Sequence, residues 1–130
     1  MQILLKNKSD VPIYEQVEEQ IREQILSGKL PEGTQLPSIR QLARDLRISV
    51  VTTTRIYSDL TEEGFLTSVA GKGCFVAPRN NELLRERMIS EMETGMEQAI
   101  LCGRKAGLSD AELTAAWKDM MKALKEEEQA

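Results

Sequence analysis

Between Ser38 and Ala77 three short patterns follow one another with almost nothing between them. Ser38 and Gln41 form an S-x-x-Q capping box, which opens a helix with Ile39, Leu42, Ala43 and Leu46 on one face. A turn at Arg47-Ile48 leads to Ser49, the expected N-cap of another helix reaching about Glu63. In that helix Thr53, Ile56, Tyr57 and Leu60 share one side, while Val50, Val51, Thr54, Arg55 and Ser58 occupy the other. Gly64 stops it. Phe65–Val69 and Cys74–Ala77 are then extended runs joined by Ala70-Gly71-Lys72-Gly73, a hairpin signal.

The flanks are helical. Ile13, Val17, Ile21 and Ile25 recur every four residues in a helix expected over 12–28, with Pro12 in its first turn and Gly28 closing it. A loop with two prolines and a glycine, 29–37, joins it to the capping box. After a linker at 78–81, a long helix is expected from Glu82 to about Lys105, with Ile89, Met92, Met96, Ala99 and Gly103 spaced 3, 4, 3, 4. Gly107 breaks it. Ser109 and Glu112 form a second capping box, opening a helix with Leu113, Trp117, Met120 and Leu124 at spacings 4, 3, 4.

Composition removes several kinds of chemistry. The 130 residues include no histidine and two cysteines, Cys74 and Cys102. Histidine-based nucleophile pairs and His-ligated metal sites are excluded, and two cysteines cannot make a four-ligand zinc site. No cofactor or metal is expected. No apolar stretch approaches the roughly 18 residues of a membrane span, and the N-terminal apolar run is too short for a signal peptide. A cytoplasmic protein is the expectation.

The net charge of −4 hides its distribution. Residues 1–80 carry ten basic and ten acidic side chains, whereas 81–130 carry seven and eleven, so the acidic excess lies wholly in the tail. Within 37–58 stand Arg40, Arg44, Arg47 and Arg55 against Asp45 alone. Sorted charge of this kind points to a polyanionic partner for one surface.

Together these features predict a mainly α fold with a small β-hairpin. It is a winged helix-turn-helix domain at 1–79, followed by a two-helix antiparallel dimerisation tail at 80–130. The helix at about 49–63 would enter a DNA major groove and the wing, 69–74, would lie at the minor groove. Val50, Val51 and the Thr54 methyl can meet thymine methyl groups, and the Thr52 and Thr54 hydroxyls can reach phosphates or bases. Arg55 can pair with guanine or grip a phosphate; Arg40 and Arg44 are better placed for phosphates. The glycine-flanked tip with Lys72 could approach the minor groove closely. A run of arginines can equally be a solvated face, and Gly-Lys-Gly tips are common in hairpins. The glycine loop lacks the spacing of a Walker A motif.

Pro12-Ile13-Tyr14, the continuous run from Gly28 to Ala43, Thr52-Thr53, Tyr57, Leu60, Glu63-Gly64-Phe65-Leu66 and Gly71-Lys72-Gly73-Cys74-Phe75-Val76 resemble, in order, the GntR family of bacterial transcription regulators. The resemblance covers about residues 11–78, and the short tail is similar to that of the YtrA-like subfamily. It implies that Arg40, Ser49, Thr52 and Gly71 touch DNA, with Arg44 on a phosphate and Lys72 in the wing contact. It also implies a homodimeric repressor of a transporter operon or of its own operon, acting on a pseudo-palindromic operator. Val50-Val51 departs from the polar residues usual in the family after the cap, which favours a thymine-rich half-site.

For the tail, a dimer seam built from Ile89, Met92, Met96, Leu113, Trp117, Met120 and Leu124 is the expected use of an apolar, methionine-rich face. A small-molecule effector is compatible with such a tail, although no residue calls for one. The rival from another class is a winged-helix protein-protein interaction module. Catalysis is not expected, because the carboxylates Glu62 and Glu63 are read as free, at a helix end without a convergent partner.

Overall fold

A computed structural model describes residues 1–129. It contains α1 (Ile13–Leu26), α2 (Ile39–Leu46), α3 (Val50–Glu62), β1 (Leu66–Val69), β2 (Gly73–Val76), α4 (Glu82–Lys105) and α5 (Asp110–Glu128). The expected order is observed. Pro12 is the N-cap of α1 rather than part of its first turn. Phe65 precedes β1 instead of opening it, and it is completely buried. The chain divides into two compact units, Met1–Arg87 and a second from Met88 onward.

In the first unit α3 packs against α1, α2 and β1. Its buried face is Thr53, Ile56, Tyr57 and Leu60. These meet a core that includes Val17, Ile21 and Ile25 of α1, Leu42 and Ala43 of α2, Phe65 and Leu66. At about 1.5–3 kcal/mol for each large apolar side chain fully buried, this core dominates the unit's stability. Thr53 is tolerated inside because its hydroxyl donates to the Ser49 carbonyl at 3.0 Å.

The two strands pair antiparallel, from Leu66 opposite Val76 to Val69 opposite Gly73. The loop before α2 joins them. Gly33 N donates to Val76 O, Val76 N to Thr34 O, and Leu36 N to Cys74 O, at 2.8–2.9 Å. The segment expected to be a plain loop therefore serves as a third, minimal strand beside β2.

The linker is held down as well. The Asn81 side chain donates to the Gly64 carbonyl at 3.1 Å and accepts from Leu84 N at 2.8 Å. Leu84 is buried, so the first turns of α4 belong with the first unit. The extended N-terminal segment lies along α1, where Gln16, Gln20 and Gln24 hydrogen-bond the backbone of Lys6, Leu4 and Gln2.

An ionic cluster joins α1, α3 and α4 within this unit. Arg22 grips Glu63 with two hydrogen bonds of 2.8 Å, and Arg87 reaches the same carboxylate at 3.2 Å. Buried beside them, Glu18 accepts from Arg22 at 3.2 Å. Burial, and then the neighbouring Asp59 carboxylate, push the Glu18 carboxyl up to about 8 against the opposing pull of Arg22.

In the second unit α4 and α5 form a helical hairpin. A side chain at Gly103 would collide with Leu113, so glycine permits the close approach of the two helices. The Ser109–Glu112 capping box opens α5 as expected.

Two outcomes follow. Gly64 sits at φ +92°, and a Cβ there would lie 2.8 Å from Leu84 N. Gly64→Ala is expected to lower unfolding free energy by about 2 kcal/mol or more in urea titration. For Glu18, the folded state keeps a proton that the unfolded chain loses above its ordinary pKa of 4.5. This group therefore makes stability fall as pH rises from about 4.5 to about 8. Glu18→Gln should raise the melting temperature at pH 8, with the gain shrinking towards pH 5; an equal gain at both would contradict the buried proton.

Candidate nucleic-acid interface

The helix-turn-helix is set by three polar locks. Ser38 caps α2 by accepting from Gln41 N at 3.1 Å. Ser49 caps α3 by accepting from Thr52 N at 2.9 Å and donating to the Thr52 hydroxyl at 2.8 Å. The Tyr57 hydroxyl donates to the Pro37 carbonyl at 2.6 Å, tying the start of α2 to the middle of α3. Between the helices Arg47 adopts the left-handed conformation at φ 56°, which turns the chain sharply enough for Ile48 N to reach Ala43 O.

These locks aim the outer face of α3 into solvent. Val50 and Val51 are 49% and 79% exposed, and Ser49 and Thr54 are exposed as well. Thr52 is half-buried against its cap. Arg40 and Arg44 both project from α2 as exposed residues. An open cleft of about 830 Å3 lies between the wing and the two helices; Arg40, Thr54 and Lys72 line it together. Its floor includes Leu36, Ile39, Tyr57 and Cys74. Cationic side chains thus rim a concave surface next to the exposed first turn of α3.

The wing is anchored to this surface. Gly71 at φ 75° and Gly73 at φ 113° make the tip turn that exposes Lys72. The Gln35 side chain donates to the Lys72 carbonyl at 2.8 Å, fixing the tip against the segment before α2. Sequence reasoning missed Gln35; the run Thr34-Gln35-Leu36 between Gly33 and Pro37 is the signal that could have found it.

Arg55 is placed elsewhere. Its guanidinium stacks 3.8 Å from the centre of the Tyr14 ring and pairs with Asp59 at 3.6 Å. It belongs to the contact between α3 and the start of α1, not to the cleft with Arg40, Thr54 and Lys72. Cys74 is half-buried, and desolvation raises its thiol pKa against the opposing pull of hydrogen bonds from Thr61 and the Phe75 backbone. Among the described residues no cluster of His, Cys, Asp or Glu could hold a metal ion, and no helix is long and apolar enough to cross a membrane.

Residues 13–76 match the profile of the family described as bacterial regulatory proteins, gntR family. The chain belongs to the GntR family. It is 29% identical over 106 residues to the HTH-type transcriptional repressor YtrA of Bacillus subtilis, covering 82% of each chain. Among solved structures it resembles YtrA from Sulfolobus acidocaldarius, a GntR-family transcription factor, with a TM-score of 0.63 at 27% identity; 95% of this chain and 99% of that one are covered. The DNA-binding domain of AraR in complex with operator ORX1 superimposes with a TM-score of 0.52 at 31% identity, over 59% of this chain and 96% of that domain. Several other curated relatives are much longer, and the chain spans 14–34% of their length. The fold is the winged helix of GntR regulators with a two-helix tail, and the protein is a transcriptional regulator carrying a GntR DNA-binding domain.

In the second unit the expected seam residues are open to solvent in the single chain. Ile89, Met92, Trp117, Met120 and Leu124 are 38–61% exposed, and Met96 and Leu113 are half-buried. Helix α5 buries no residue at all.

One local outcome tests the locks. Tyr57→Phe leaves the Pro37 carbonyl without its donor and should cost about 1 kcal/mol of stability by thermal denaturation, with helical content unchanged.

Proposed function

We propose that this protein is a homodimeric repressor binding a pseudo-palindromic operator, with α3 in the major groove and the wing at the minor groove. The observation that carries it is the convergence of Arg40, Thr54 and Lys72 on one cleft beside the exposed first turn of α3. In this arrangement Arg40 and Arg44 hold phosphates, Ser49, Val50, Val51, Thr52 and Thr54 face the groove, and Gly71 lets the tip approach the backbone while Lys72 supplies charge. Arg55 seats α3 on α1 through Tyr14 and Asp59, and its side chain, 57% exposed, keeps a guanidinium edge for a guanine or a phosphate.

Residues 80–130 serve as the dimerisation tail. A helical hairpin this short cannot bury its own apolar side chains, and the exposed Met92, Trp117, Met120 and Leu124 fit a seam with a second copy. Two half-sites bound at once raise effective concentration and hence affinity. Repression is favoured by the similarity to a repressor, YtrA of Bacillus subtilis. A transporter operon or the regulator's own operon is the target favoured by the subfamily resemblance. The protein works in the cytoplasm, where the chromosome is, and carries out no catalysis.

Arg40→Ala should weaken binding of a selected operator at least about ten-fold at fixed salt, and lower the slope of log K against log salt by about 0.9. Unchanged affinity would remove Arg40 from the interface, and binding insensitive to salt would favour a protein partner over DNA. Trp117→Glu combined with Met120→Glu should shift the sedimenting species from dimer to monomer and reduce operator affinity. A variant that stays dimeric would sink the role given to the tail.

A further inference from the structure

The first turn of α3 has an odd surface for a helix meant to read bases. Its hydroxyls are largely turned back on the helix: Thr54 Oγ1 donates to Val50 O at 2.8 Å, Ser49 Oγ donates to Thr52 Oγ1 at 2.8 Å, and Thr53 Oγ1 donates to Ser49 O. The one guanidinium on α3, Arg55, is held by Tyr14 and Asp59. Beside the exposed Ser49 and Thr54, the first turn presents two aliphatic side chains outward: Val51 is 79% exposed and Val50 49%. Two adjacent β-branched residues opening a helix are weak helix formers, and their exposure gives the fold nothing in return. Exposed in this way, the two side chains are available to an apolar group on a partner.

We propose that Val50 and Val51 read the C5-methyl group of pyrimidines in the major groove, and that this apolar contact sets the sequence preference of α3. The inference rests on the DNA-binding reading above. In the major groove only thymine among the ordinary bases presents a methyl group, so an apolar contact there singles out its position in the base pair. A 5-methylcytosine places the same methyl at the same position, so methylated DNA is the second possible source. The Thr52 hydroxyl proton and Arg40 supply the polar contacts that fix register, while the valines supply discrimination.

The test uses the full-length chain and an operator selected from random duplexes. Each thymine is replaced singly by deoxyuridine and each cytosine by 5-methylcytosine, and Kd is measured by fluorescence anisotropy at fixed salt. Deoxyuridine should weaken binding about four-fold at one or two positions per half-site, the value of one buried methyl. Val51→Ala or Val50→Ala should bind the thymine and deoxyuridine forms equally at those positions; both sites are exposed, so folding is not at issue. A response confined to the 5-methylcytosine arm assigns the methyl to modified cytosine. If no substitution changes affinity, or the alanine variants keep the full deoxyuridine penalty, the proposal is overturned. Arg40→Ala weakening both forms alike would leave DNA binding standing in that case. Selection of no duplex at all would overturn both.

Discussion

The apolar side of α3 is the constraint from which the rest of the first unit follows. Ile56, Tyr57 and Leu60 cannot be exposed without forfeiting several kcal/mol, so they sit between α1, α2 and β1. At 3.6 residues per turn, burying that side leaves Val51 and Thr54 outside, while Val50, in line with Tyr57 but at the start of the helix, is half exposed. Tyr57 contributes twice, filling the core with its ring and holding Pro37 with its hydroxyl. The rotation of the outer face is thereby set by packing, and the start of α2, which carries Arg40, is set by the same residue.

Around this core the ion pairs act as positioning devices more than as sources of stability. Glu63, at the end of α3, receives Arg22 from α1 and Arg87 from α4, with all three side chains partly shielded from water. Removing ions from water offsets much of the attraction between them, so the net gain is small, while the geometry admits few alternatives. Glu18 sits at the less favourable end of the cluster: burial and the nearby Asp59 push its carboxyl pKa up, against the pull of Arg22. Such a cluster holds the first turns of α4 in a fixed register with α3.

Much of this architecture is legible in the residues because it is local. Ser38, Ser49 and Ser109 are caps whose partners lie three positions away, and Gly107 ends α4 where the periodicity stops. The cleft residues Arg40, Thr54 and Lys72 could be named in advance because the helix-helix-hairpin order places them on one side. Partners far apart in the chain leave no such local signal. Nothing near Arg55 announces that Tyr14, on another helix, supplies an aromatic face for its charge. Nor does a stretch rich in proline and glycine announce that Gly33, Thr34 and Leu36 pair with β2. The linker misleads for the same reason: Asn81 reads as a loop residue, yet its side chain closes on Gly64 and Leu84.

The wing, finally, is no free flap. Backbone pairing with residues 33–36 and the Gln35 amide on the Lys72 carbonyl restrain it at both its base and its tip. Most of the conformational entropy of ordering it is therefore lost when the chain folds, not when a ligand arrives. On the DNA-binding reading proposed above, a double helix would meet a wing restrained before it arrives, which would favour duplexes whose groove dimensions already match over those that must be bent to fit.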